Sequence, residues 1–149
     1  MSQRGGSVVT YVRYGDRVYS PIIDKGEADY ILSFELLEAA RYAEFLAPAG
    51  KIITNSRETM PMPVITGAMA YPEHIIEKLQ ACGTDIDGFV AQSLAEEAGS
   101  VKAVNLVLLG RLSRDFGFAE EEWMAAIEKS VPAKFLEMNK KAFLLGRNC

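Results

Sequence analysis

The pattern of apolar and polar residues changes along this chain, and each change predicts a different element. Residues 7–14 and 17–23 are rich in Val, Tyr and Ile, and Gly15-Asp16 separates them. Glycine at the first position of a two-residue loop suits a type II′ turn, so this pattern predicts a β-hairpin. Pro21 lacks a backbone donor, which a strand tolerates only at an edge. We therefore expect the hairpin at or near an edge of a sheet.

A strand, a helix and a second strand follow the hairpin. Residues 30–34 (YILSF) form an apolar run without strict alternation, typical of a strand covered on both faces. Residues 35–46 carry apolar positions with a helical period, and Pro48-Ala49-Gly50 is expected to end that helix. Residues 51–55 (KIITN) are a second apolar strand. This order predicts a βαβ unit with parallel strands and a right-handed crossover.

The remaining two thirds of the chain is mostly helical in pattern. After residues 56–65, which resist assignment, a helix is expected from Pro72 to Cys82, then a weak strand at 84–90 and a short helix through Glu97. Residues 101–112 are apolar almost all round, so we expect this helix buried against the sheet.

Two more helices complete the predicted fold. One opens with three glutamates at 120–122, and the last runs from Pro132 to a stop at Gly146. The overall prediction is a single domain over residues 1–149. Its fold class is α/β: a three-layer α/β/α arrangement with a mixed, largely parallel sheet, an edge hairpin and a helical C-terminal third.

Composition argues against several classes of function. The formal net charge is −4 with basic and acidic residues mixed along the chain, so we expect no nucleic-acid binding. No stretch approaches the roughly 18 apolar residues of a membrane span, and no secretion signal opens the sequence. We expect a cytoplasmic protein without membrane contact. Cys82 and Cys149 are too few to hold an iron–sulfur cluster, which commonly needs four thiolates.

Two groups of residues could carry binding chemistry. Successive glycines at Gly5 and Gly6 can cradle an anion that Arg4 binds bidentately, or they can simply permit a tight approach before the hairpin. Glu35 and Asn55 each follow a predicted parallel strand, where open α/β sheets place their ligands. Polar residues at strand ends can equally cap the following helix, so a ligand-binding role and a capping role both stay open.

For the other polar residues a structural role is favoured over a functional one. His74 is the only histidine and is expected on an exposed helix surface. Asp85 and Asp87 lie on one face of a predicted strand, where a solvated edge is favoured over a metal site or acid–base pair. Asn105 interrupts an apolar helix and is expected to be a hydrogen-bonded core amide. The residues alone therefore indicate a binding or assembly module rather than a catalytic apparatus.

Five segments in the same order resemble a known family. They are QRGGSVVTYVRYGDRVYSPII, GEADYILSFELLEAARY, GKIITNS, AVNLVLLG and VPAKFLEMNKKAF, and the resemblance runs from Gln3 to about Gly146. The chain resembles the gamma-type domain of 2-oxoacid:acceptor oxidoreductases, and in particular the small subunits of indolepyruvate ferredoxin oxidoreductases. The collinear order carries this resemblance more than any one segment.

The resemblance implies a non-catalytic subunit of an enzyme complex. Thiamine diphosphate and iron–sulfur clusters are expected in a large partner subunit, and no cofactor is expected on this chain alone. Coenzyme A and ferredoxin are expected to act with the whole complex. Gln3, Arg4, Gly5, Gly6 and Ser7 match the family's loop after its second strand, and we expect this loop to face the partner or its cofactor pocket.

The family pattern begins with a strand and a G-x-G-G-Q-G turn that have no counterpart here. We accordingly expect an N-terminally shortened domain whose unpaired strand edge favours oligomerisation. Two alternatives to the subunit function are a stand-alone α/β module that binds an anion, a nucleotide or coenzyme A, and a relict fragment with only an interaction role.

Overall fold

The computed structural model describes residues 8–149. In chain order its elements are β1 (Ala28–Ser33), α1 (Leu36–Tyr42), β2 (Leu46–Asn55), α2 (Met62–Ile65), α3 (Ile75–Ala81), β3 (Asp85–Phe89), α4 (Ala91–Ala98), α5 (Val104–Leu112), α6 (Glu120–Ser130) and α7 (Leu136–Asn148). The strand–helix alternation of the first half and the helical second half are as the apolar pattern predicts.

The three strands form one sheet in the order β1-β2-β3, and both strand pairs are parallel. Ile52 in the central strand lies opposite Ile31 in β1 and Ile86 in β3. The βαβ unit predicted from YILSF and KIITN is confirmed, and the weak third strand exists. All carboxyl ends of the strands therefore lie at one edge of the sheet.

The core divides into two parts, one on each face of the sheet. Ile52 and Ile53 are adjacent, so a strand points them to opposite faces, and both are fully buried. Ile52 packs in a cluster with Ala39 of α1 and with Ile76 and Leu79 of α3. The cluster of Ile53 instead contains buried residues of α4, α5, α6 and α7. The predicted three-layer α/β/α arrangement is confirmed.

Helices α5 and α7 approach each other closely because glycines lie at their contact. A Cβ on Gly110 would overlap the backbone carbonyl of Phe143, and one on Gly146 would overlap that of Val107. The prediction of Gly146 as a helix stop is wrong, since α7 continues to Asn148. This glycine is required by backbone-to-backbone packing rather than by a turn.

The predicted edge hairpin is not formed in the described residues. Residues 8–27 contain no strand, and the sheet seen here is entirely parallel rather than mixed. Most of the large apolar side chains in residues 8–22 are exposed. High β-propensity alone does not hold two strands together, because an isolated two-stranded ribbon is marginal in water.

Two further details depart from expectation. Strand β2 begins at Leu46, so Pro48-Ala49-Gly50 lies inside a strand with irregular register rather than in a turn. Gly50 is needed there because a Cβ would stand 2.8 Å from the carbonyl oxygen of Ala28. Asn105 is exposed, which makes the expected core amide wrong, whereas its neighbour Leu108 is fully buried as predicted for this helix.

Candidate functional site

The candidate site lies at the carboxyl edge of the sheet, where three chain segments leave the strands. These segments begin with Phe34 after β1, Ser56 after β2 and Val90 after β3. Open α/β sheets place their ligands at this edge, because the strand-to-helix connections leave a crevice there. Both strand-end residues singled out in the sequence lie here.

Glu35 connects this edge to a distant part of the chain. Its side chain is largely buried, and both carboxylate oxygens accept hydrogen bonds. Oε1 accepts from the Tyr71 hydroxyl at 2.5 Å and from the Thr59 backbone N–H at 3.1 Å. Oε2 accepts from the backbone N–H of Glu38 at 2.9 Å and so caps α1. Glu35 therefore fixes both ends of the loop between β2 and α3.

Asn55 joins the ends of the three strands. Its Oδ1 accepts from the backbone N–H of Ala91 at 3.1 Å, at the start of α4. Its Nδ2 donates to the carbonyl of Phe34 at 3.4 Å, just after β1. The side chain is almost completely buried, and these two hydrogen bonds satisfy an amide that would be costly to leave unpaired.

Backbone hydrogen bonds complete the connection between neighbouring segments. Leu36 N–H donates to the carbonyl of Arg57 at 3.1 Å, and Ser56 N–H donates to the carbonyl of Phe89 at 2.8 Å. The Ser33 hydroxyl donates to the carbonyl of Glu35 at 2.7 Å. The carboxyl edge is thus a hydrogen-bonded frame rather than a set of independent loops.

The electrostatics of the frame are set by a carboxylate beside a phenol. Burial raises the pKa of Tyr71 well above its ordinary value, and the hydrogen bond to Glu35 and the charges of Glu35 and Glu58 raise it further. The tyrosine consequently stays a neutral donor at physiological pH. None of the ion pairs among residues 8–149 involves Glu35, so its carboxylate is stabilised by N–H and O–H donors.

The other titratable residues that the sequence suggested as candidates make none of the hydrogen bonds of this frame. Asp87 pairs with Arg111 at 2.7 Å, whereas Asp85 is exposed at the opposite end of the strand. His74 is exposed, as predicted, and has a left-handed backbone conformation with φ of 56° just before α3. Within residues 8–149 no three acidic, histidine or cysteine side chains are placed to hold a metal ion together.

The sequence analysis did not identify a group of exposed apolar side chains in the segments that leave this edge. Six large side chains there are between 43% and 66% exposed: Phe34, Met60, Met62, Ile65, Met69 and Val90. We call these six residues the apolar edge surface. Four of them belong to the loop of residues 56–71, the edge loop, which contains the one-turn helix α2. The signal in the sequence was three methionines in ten residues without a helical or strand period.

The chain is an α/β domain whose carboxyl edge is held by hydrogen bonds, and comparison with known proteins identifies its family. The pyruvate ferredoxin/flavodoxin oxidoreductase family matches residues 1–149. The chain belongs to this family.

Similar proteins agree with this assignment. An indolepyruvate oxidoreductase subunit IorB from Thermococcus kodakarensis is 42% identical over 153 residues, which is 98% of this chain and 75% of the relative. The protein of the same name from Pyrococcus horikoshii is 43% identical over 152 residues, with the same coverage. A keto/oxoacid ferredoxin oxidoreductase gamma subunit from Geobacter sulfurreducens has a TM-score of 0.58 at 22% identity. That match covers 84% of this chain and 65% of the solved one, and it supports the α/β fold.

The predicted site residues fall into two groups. Gln3, Arg4, Gly5, Gly6 and Ser7 lie outside the described residues, and their role stays a prediction. Glu35 and Asn55 are brought to one edge, where their side chains hydrogen-bond the frame; contact with a ligand by either stays a prediction. No helix described for residues 8–149 has both the length and the apolar character to cross a membrane.

Proposed function

We propose that this chain is a non-catalytic subunit of a thiamine-diphosphate-dependent 2-oxoacid:ferredoxin oxidoreductase, acting on indolepyruvate or a related aryl 2-oxoacid. The observation that carries the proposal is the 42% identity, over almost the whole chain, to a relative named as an indolepyruvate oxidoreductase subunit. The wider family match over residues 1–149 supports the same reaction class.

The proposed reaction is an oxidative decarboxylation at the complex. A 2-oxoacid loses its carboxylate as carbon dioxide, and its acyl group forms a thioester with coenzyme A. The electron pair released goes to oxidised ferredoxin, and the thiol proton is released to solvent. Thiamine diphosphate supplies the carbanion chemistry and iron–sulfur clusters carry the electrons, both in the large partner subunit. With two cysteines in total, this chain has too few thiolates for such a cluster.

The part proposed for this chain is to complete the large subunit's active site. The loop of Gln3, Arg4, Gly5, Gly6 and Ser7 would face the partner or its cofactor pocket, where the Arg4 guanidinium suits a phosphate or carboxylate. Glu35 and Asn55 support this role by fixing the carboxyl edge through the hydrogen bonds described above. The whole complex is proposed to act in the cytoplasm.

The test is reconstitution with the large subunit. Co-expression, size-exclusion chromatography and an indolepyruvate-dependent dye-reduction assay should give a co-eluting, active complex. Arg4→Ala should lower that activity while the circular dichroism of the chain is unchanged. Binding of coenzyme A to the isolated chain, without co-elution of the large subunit, would instead favour a stand-alone binding module.

A further inference from the structure

The edge loop is closed at its neck by a single atom. Oε1 of Glu35 accepts from the backbone N–H of Thr59 at 3.1 Å and from the hydroxyl of Tyr71 at 2.5 Å, so both ends of the loop meet at one carboxylate. A surface loop whose ends are held together in this way is an Ω-loop, a type that often carries function. Residues 60–70 lie between the two bonds.

Residues 60–70 hydrogen-bond to one another. The N–H of Val64 donates to the carbonyl of Pro61 at 2.9 Å, and the N–H of Met69 donates to the carbonyl of Pro63 at 3.0 Å. In the part of the chain that the structure describes, no hydrogen bond joins residues 60–70 to a residue outside the edge loop. The internal bonds therefore make this segment a unit with a shape of its own.

The same segment is not anchored by burial. Residues 57–70 are all exposed except Pro61 and Val64, which are half-buried. No helix or strand of the described residues packs extensively against α2. A segment with few buried contacts opens locally at a lower free-energy cost than the unfolding of the whole domain. The hydrogen bonds to Glu35 are therefore the main restraint that keeps the loop closed.

Opening of the loop changes the surroundings of one side chain in the frame. Glu35 is only 9% exposed, and both donors to its Oε1 belong to the edge loop. Its Oε2 accepts from the N–H of Glu38, which belongs to α1 rather than to the loop. Asn55 bonds to Ala91 and Phe34, which also lie outside the loop. Opening therefore frees one carboxylate oxygen at the carboxyl edge and leaves the strand ends joined.

We propose that the edge loop is a latch over the Glu35 carboxylate: residues 60–70 move as one unit about the neck, and Oε1 is available to a donor outside the chain only when the loop is open. The fixed side of the neck is formed by Ser56 and Arg57, whose backbone groups bond to Phe89 and Leu36. Open α/β sheets bind their ligands at this edge, so the freed oxygen lies where it can accept from an N–H or O–H group of a ligand. The latch is a property of the chain by itself, so its test does not depend on the proposed function.

Amide hydrogen exchange by NMR and carboxylate footprinting, both on the full chain, test the latch. Footprinting couples glycine ethyl ester to exposed carboxyl groups with a carbodiimide, and mass spectrometry gives the extent of labelling at Glu35. In wild type, the amide of Thr59 should exchange through an opening that costs less free energy than the opening that exposes the amide of the fully buried Ile53. Equal opening free energies at Thr59 and Ile53 would show that the neck opens only when the domain unfolds.

Tyr71→Phe removes the hydroxyl from the neck, and Tyr19→Phe is the matched control because Tyr19 is 84% exposed. Loss of a hydrogen bond to a charged group should raise the open population at least about tenfold. Exchange at Thr59 and labelling at Glu35 should both rise by about that factor, while the control stays within about twofold of wild type. The amides of residues 64–69 should keep their wild-type exchange rates, because their hydrogen bonds lie inside the moving unit.

A joint rise at Thr59 and Glu35 alone supports the latch, and two other results overturn it. If labelling of Glu35 in Tyr71→Phe equals that in the control, the loop does not cover the carboxylate. If the amides of residues 64–69 accelerate together with Thr59, the loop unfolds locally and does not move as one unit. The wild-type comparison of Thr59 with Ile53 decides the question even where a variant folds poorly.

Discussion

Replacing Gly110 by alanine tests whether α5 and α7 meet backbone to backbone. In isolation this change favours a helix by about 1 kcal/mol, because glycine is the more flexible residue in the unfolded chain. In the folded protein the new methyl group would overlap the carbonyl of Phe143 and stand only 2.9 Å from the backbone nitrogen of Arg147. Backbone atoms cannot rotate away as a side chain would, so the helices must separate.

The structure sets the expected magnitude. Overpacking of a core costs about 1–3 kcal/mol, and here separation also loosens the contacts of the fully buried Val107 and Phe143. Because the overlap is with backbone atoms, we take the upper end of that range, about 3 kcal/mol, and subtracting the helical gain of about 1 kcal/mol leaves a net loss of roughly 2 kcal/mol in the free energy of unfolding. For a chain of this size, that loss corresponds to a melting temperature lower by about 4–8 °C.

Urea unfolding followed by circular dichroism measures the effect, and a second glycine provides the matched control. Gly117 lies in a loop with open space where a Cβ would be, so Gly117→Ala should be neutral or slightly stabilising. If Gly110→Ala is as stable as Gly117→Ala, the close approach of α5 and α7 described here is wrong.

Two further perturbations probe the core and the edge. Leu108→Asp places an unpaired charge at a fully buried position, so the chain should fail to fold; a native circular dichroism spectrum would contradict the placement of α5. Because the pKa of Tyr71 is raised in the folded state, its contribution is complete below pH of about 10, where the free phenol is protonated, and decreases as pH rises above that value. Between pH of about 10 and 12, wild type should therefore lose stability more steeply than Tyr71→Phe in urea titrations, and parallel pH profiles would refute the raised pKa of Tyr71 that burial and the hydrogen bond to Glu35 produce together.

The sequence predicted those elements whose apolar residues pack locally and continuously. The runs at 30–34 and 51–55 have a sheet neighbour and helices on both faces, so their pattern and their structure agree. Residues 7–23 have an equally strong strand pattern, yet the described part of this segment has no strand. The runs at 30–34 and 51–55 have neighbouring strands to pair with, and β-propensity does not show whether a segment has such a partner.

The roles of the glycines were predicted less well than those of the apolar runs, because tertiary contacts decide where a side chain does not fit. Gly146 resembles a helix stop in the sequence, but only the path of α5 beside α7 reveals why no side chain fits there. Gly50 resembles a turn residue, but it lies inside β2 against the carbonyl of Ala28. In both cases the constraint comes from residues more than twenty positions away, which no local window contains.

The same separation in sequence explains what could and could not be predicted about the site. Strand-end position identified Glu35 and Asn55, because the carboxyl edge of a parallel sheet follows from topology. The partners that give Glu35 its role, Thr59 and Tyr71, lie 24 and 36 residues away. They belong to a proline-containing loop with no period of its own, so the sequence did not show that this loop returns to the first strand end.

Since one carboxylate both caps α1 and holds the loop with the exposed methionines, a substitution at Glu35 should affect the helix and the edge surface together. For that reason Tyr71→Phe, which leaves the cap intact, is the change that separates the positioning of the surface from the stability of the fold.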